Sequence, residues 1–160
     1  MSSRIFHLLA LGALVLAAPL ALAQSDEGPV RPDPVEIARN AAAAITAMAE
    51  RCVEGNQTVA AKTVAAIEKL LAEGHPRQAF RVAAAGVNVV HRRSIATSTH
   101  VRERFIQAAT VLRRLGAEPL AQRLKLLTED KLEAIAASRR EAVEAIRAAL
   151  PAMAGETAPE

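Results

Sequence analysis

Three histidines lie downstream of the N-terminal segment: His75, His91 and His100. A zinc site needs His, Cys or carboxylate ligands converging at about 2 Å, usually on short spacings such as two His one helical turn apart. No such pair occurs. His91 and His100 meet only if the chain folds back between them at Ser94 to Thr99, so solvated or capping roles are the plainer reading and no metal is expected. Glu50 and Glu54, like Glu129 and Glu133, stand four apart as an acid–base pair on a helix would. Carboxylates at that spacing mostly form a solvated face. The sequence also lacks a Gly-x-Ser-x-Gly nucleophile elbow and a Gly-rich phosphate loop. No catalytic residue or cofactor is assigned, and the chain is expected not to be an enzyme.

Charge order is the more distinctive chemistry. Residues 24–73 hold five basic and eight acidic side chains, residues 74–125 hold ten and two, and residues 126–160 hold four and seven. The basic middle consists of Arg77, Arg81, Arg92, Arg93, Arg102, Arg104, Arg113, Arg114, Arg123 and Lys125, offset by Glu103 and Glu118. Guanidinium forks grip carboxylates and phosphates in bidentate fashion, so Arg77 to Arg114 are candidate contacts for an anionic partner. The competing reading is internal neutralisation, with the acidic flanks lying against the basic middle.

What that partner can be depends on location. Arg4 precedes an apolar run from Ile5 to Leu22, and Ala21-Leu22-Ala23-Gln24 has the small-x-small pattern cut by signal peptidase. Residues 1–23 are therefore read as a cleaved signal peptide, with Pro19 breaking the apolar run before the cut, and the protein as exported to the periplasm or beyond the cell. No lasting membrane span is expected after cleavage. Export directs the basic middle to an acidic protein or an anionic envelope component, and the absence of Trp and Tyr removes the stacking platforms that single-stranded nucleic acid uses. No nucleic-acid partner is expected. The lone cysteine, Cys52, has no internal partner for a disulfide. It is either an intermolecular or reactive thiol or a small apolar residue. Its phase with Ile37, Ala41, Ile45 and Met48 favours the core.

The elements that must position these residues all read as helices. Residues 24–34 are polar and Pro-rich and form a flexible leader; residues 35–150 carry the helical period; residues 151–160 read as a disordered tail. Asp33 caps the first helix with Pro34 at its first position, and Gly55 ends it. Asn56 or Thr58 caps a second helix that buries Ala60, Val64, Ile67, Leu70 and Leu71 and stops at Gly74. Pro76 opens a third, which the weak helix formers Ser94 to Thr99 interrupt, although the apolar phase also survives an unbroken run through Ile95. A fourth, with Val101, Phe105, Ala108 and Leu112, stops at Gly116. Pro119 restarts the chain, and Thr128-Glu129-Asp130 signals a last start before Leu132, Ile135, Val143 and Ile146.

The expectation is an all-α bundle of five or six helices built from antiparallel helical hairpins, and a dimer is compatible with it. Leu70, Gly74, Ala79 and Arg81 recur in the same order and at the same intervals as Leu112, Gly116, Ala121 and Arg123, an offset that suits a hairpin array. Leu127-Thr128-Glu129-Asp130-Lys131 resembles the Leu-Thr-x-x-Gln motif of small periplasmic helical chaperones and metal-resistance proteins of the Spy/CpxP-like kind. Lys131 stands where that motif has Gln, and a second copy is missing. The resemblance implies a dimeric helical cradle with a chaperone or stress role, as the alternative to a binding module that docks through its arginines.

Overall fold

Residues 32–151 are described by a computed structural model. The expected signal peptide, the leader up to residue 31 and the tail from residue 152 lie outside them. Asp33 accepts a hydrogen bond from the Val35 N–H at 2.8 Å, Pro34 takes the first helical position, and helix α1 runs from Pro34 to Ala72. Helix α2 spans Pro76–Arg114 and α3 spans Glu118–Ala148, each packed against the other two. The fold is an all-α three-helix bundle running up, down and up. The five or six helices expected from the sequence merge into three, because three of the anticipated breaks are helical throughout.

The same local hydrogen bond occurs at each missing break. Ser, Thr and Asn disfavour helix interiors because their side chains compete for backbone hydrogen bonds, but a hydroxyl can instead bond to the carbonyl one turn earlier. Thr58 donates to the Glu54 carbonyl at 2.9 Å, Thr99 to Ile95 at 3.1 Å and Thr128 to Leu124 at 2.7 Å. Thr128 is buried in mid-helix and caps nothing. Asn56, expected at a helix start, is fully buried; its Nδ2 donates to Ser94 Oγ at 3.1 Å and to Ser138 Oγ at 3.0 Å. This polar layer joins all three helices. It also divides two apolar clusters, one around Ile45, Val101, Leu112 and Ile135, the other around Ile67, Val90 and Ile146.

The two reversals that the glycines announce are present, and they are copies of one turn. Gly74 and Gly116 have φ of 78° and 72°, the left-handed conformation that a Cβ disfavours. In the first turn the N–H groups of Gly74 and His75 bond back to Leu71 and Leu70; in the second those of Gly116 and Ala117 bond to Arg113 and Leu112. Every partner in the second turn stands at one constant offset from its counterpart in the first, and Pro34 and Pro76, which open α1 and α2, are separated by that same offset. The recurrence therefore relates consecutive single helices with their turns, and not the hairpins of an array.

Each helix buries a stripe with a repeat of about 11 residues, or three turns. Ala41, Cys52 and Thr63 mark it in α1, Ala79, Val90, Val101 and Leu112 in α2, and Leu124, Ile135 and Ile146 in α3. Small residues on this stripe let the backbones approach. At Gly86 an added Cβ would stand 2.6 Å from both Cγ2 and Oγ1 of Thr63 and 3.1 Å from its Cβ, so α1 and α2 are in close contact there. Gly55 is different: a Cβ would meet only the flexible guanidinium end of Arg93.

Three expectations follow for urea unfolding. Gly86→Ala lowers stability by about 1–2 kcal/mol, overpacking outweighing the gain in helix propensity, and Thr63→Ala in the same chain removes the penalty. Gly55→Ala, which displaces only a side-chain end, raises stability by up to about 1 kcal/mol; equal effects at the two glycines would contradict the close approach. Asn56→Ala, which strips Ser94 and Ser138 of their common donor, costs about 1–3 kcal/mol, and a neutral result would show that the layer contributes nothing.

Candidate functional site

The charge order of the sequence becomes a property of one helix. Between Pro76 and Arg114, α2 carries eight arginines against Glu103 alone, whereas α1 holds four acidic and four basic residues and α3 six of each. Arg77, Arg81, Arg92, Arg93, Arg102, Arg104, Arg113 and Arg114 are all exposed, as are Arg123 and Lys125. Among the described residues an acidic partner within 4.0 Å is found for only two of these ten cations: Glu118 for Arg113 at 3.5 Å and Glu129 for Lys125 at 3.6 Å. The acidic residues of the flanking helices thus leave most of the arginines of α2 facing solvent.

The eight do not form one patch. Arg93 and Arg104 lie on the flank of α2 toward α1: Arg93 reaches across Gly55 and lines a shallow hollow with Cys52 and His100, and Arg104 lines another with Ile37 and Val111. Arg102 lies on the opposite flank, where α2 and α3 enclose a hollow of about 280 Å³ lined by Ser94, Ile95, Ser98, Thr99, Leu132, Ile135 and Arg139. No acidic side chain lines it. A second hollow of about 220 Å³, between His91 and Val143, shares Arg139 with the first and adds Arg140, Glu144 and Arg147. Arg139 is half-buried and has no acidic partner within 4.0 Å among the described residues. Arg140 beside it bonds Glu133 at 2.8 Å, which holds its guanidinium above the ordinary range.

Arg139 and Arg147 fell outside the basic middle of the sequence because residues 126–160 are net acidic. Their signal was positional: Arg139 follows Leu132 and Ile135 at helical steps, on the edge of the buried stripe of α3. The other candidates are dispersed. His91 and His100 sit nine residues apart on one unbroken helix, about 13 Å along its axis, and cannot share a metal ion. No group of three or more ligating side chains occurs among the described residues. Glu129 and Glu133 are occupied by Lys125 and Arg140, and Glu50 and Glu54 are exposed on α1. Cys52 is 3% exposed within the first apolar cluster. No described helix is long and apolar enough to cross a membrane.

Compared with protein-family models, with curated proteins and with solved structures, the chain matches none. The resemblance of residues 127–131 to the periplasmic chaperone motif therefore gains no family match, and those residues lie inside α3.

The burial of Cys52 makes a direct prediction. A thiol reagent labels it at least about a hundredfold more slowly in buffer than in denaturant, because access requires the bundle to open. Equal rates would contradict its packing between the helices.

Proposed function

We infer that the protein is an exported, non-enzymatic binding module that docks an acidic partner through α2. The observation that carries this is the excess of seven positive charges on a single helix between two neutral ones, with Arg113 its only arginine in an ion pair among the described residues. Internal neutralisation would pair those arginines with acidic side chains of α1 and α3, and the sparseness of such pairs, Arg113 with Glu118 among the described residues, supports the external reading. Exposed guanidinium groups cost little to maintain in water and offer bidentate hydrogen bonds to carboxylates. The signal-like N-terminus favours a partner in the envelope or outside the cell over nucleic acid.

The test is reversal of charge on α2. With Arg92, Arg93, Arg113 and Arg114 all changed to Glu, retention of the purified protein on its own envelope fraction falls at least about tenfold at roughly 0.05 M salt, and retention of the unaltered protein falls steeply as salt rises to about 0.5 M. Retention that is unchanged by the four substitutions and insensitive to salt removes this reading.

A further inference from the structure

The two hollows that share Arg139 are parts of one groove between α2 and α3. It follows α3 from Leu132 to Arg147, a length of about 22 Å at roughly 1.5 Å per residue. Its floor is mixed, with Leu132, Ile135 and Val143 beside Ser94, Ser98 and Thr99, and Ile95 at its edge is 59% exposed. Its walls carry Arg102, Arg139 and Arg147, none with an acidic partner within 4.0 Å among the described residues; Glu144 is the one acid that lines it. Arg139 is the informative member. It is half-buried, lines both hollows and has no counter-charge within 4.0 Å among the described residues, and an entering carboxylate would supply one.

An occupant has to satisfy both floor and walls. A phosphate polymer would neutralise the arginines and leave the exposed Ile95 and the half-buried Leu132 uncovered, and a flat bilayer surface does not reach into a groove between two helices. A helix bearing Leu-like and Glu-like side chains one turn apart does both, and two neighbouring antiparallel helices present the seat into which the next helix of a four-helix bundle packs. We propose that the α2–α3 groove docks an acidic amphipathic helix of about four turns, supplied by a partner protein, as the fourth helix of the bundle. This rests on the acidic-partner reading above and gives it a location and a ligand class.

The experiment is fluorescence anisotropy with a labelled, end-capped peptide of about 18 residues, Leu and Ala on one helical face and Glu on the other. Its controls are a scrambled peptide of the same composition, polyglutamate of equal charge, and phosphatidylglycerol vesicles. The amphipathic peptide binds in preference to all three. Arg102→Glu with Arg139→Glu weakens it at least about tenfold, whereas Arg93→Glu with Arg104→Glu, on the flank facing α1, weakens it less than about threefold. Ala136→Trp, which fills the groove without altering charge, abolishes binding while the circular dichroism spectrum stays helical. Equal loss from the two charge-reversed pairs, or binding that survives Ala136→Trp, overturns the groove and leaves the acidic-partner reading standing. Preference for the scrambled peptide, polyglutamate or vesicles overturns the helical occupant. Absence of salt-sensitive binding to every acidic probe overturns both.

Discussion

Each helix has to keep one narrow stripe of side chains turned inward over its whole length, 39 residues in α1 and α2 and 31 in α3. A repeat spanning three turns meets that requirement. It corresponds to about 3.67 residues per turn against roughly 3.6 for a straight helix, so a slight right-handed winding holds the stripe in place, where a heptad repeat would demand the opposite hand. The buried apolar residues divide evenly between Ala, which lets the helices approach, and Ile, Val or Leu, which fill the space between them. Each fully buried Ile or Leu contributes on the order of 1.5–3 kcal/mol, so Ile45, Ile67, Leu112, Ile135 and Ile146 form the apolar backbone of the bundle.

Sliding one helix by a repeat would still set mostly apolar side chains against apolar ones, so apolar contact alone specifies alignment weakly. Asn56 opposes that. Its amide gives both hydrogens to Ser94 and Ser138, so one level of the bundle is the level at which all three helices are matched. The arrangement is incomplete, because Asn56 Oδ1 has no partner among the described residues. A buried polar group that sacrifices some stability for a unique alignment is a known use of Asn in helical cores.

Much of the fold was legible in the sequence. Asp33-Pro34, Gly74-His75-Pro76 and Gly116 to Pro119 mark the real helix ends because each changes what the backbone itself can do: Pro fixes φ, and Gly admits a positive φ. The apolar phase placed Ile45, Cys52, Ile67, Val101, Leu112, Ile135 and Ile146 inside. What misled was polarity. Asn56 and Thr128 read as caps, and Ser94 as the start of an interruption, because such residues usually sit at helix ends, whereas here tertiary contacts and bonds to the preceding turn keep them in helix interiors. The basic middle of the sequence was visible as charge. Its division into two flanks of α2, and the contribution of Arg139 from α3, required knowing which helix lies beside which.

The polar layer also measures how unequal the bundle is. Beyond that level α1 continues from Asn56 to Ala72 and α2 returns from Pro76 to Ser94, while α3 supplies only the shorter stretch from Ser138 to Ala148. The pole at Gly116 is therefore three helices thick and carries the Arg113–Glu118 ion pair, but the pole at Gly74 extends roughly two turns past the end of α3. Cohesion is graded along the long axis. The described helices favour opening from the Gly74 pole inward, with Asn56 at the level where that fraying first meets a hydrogen-bonded contact among all three helices.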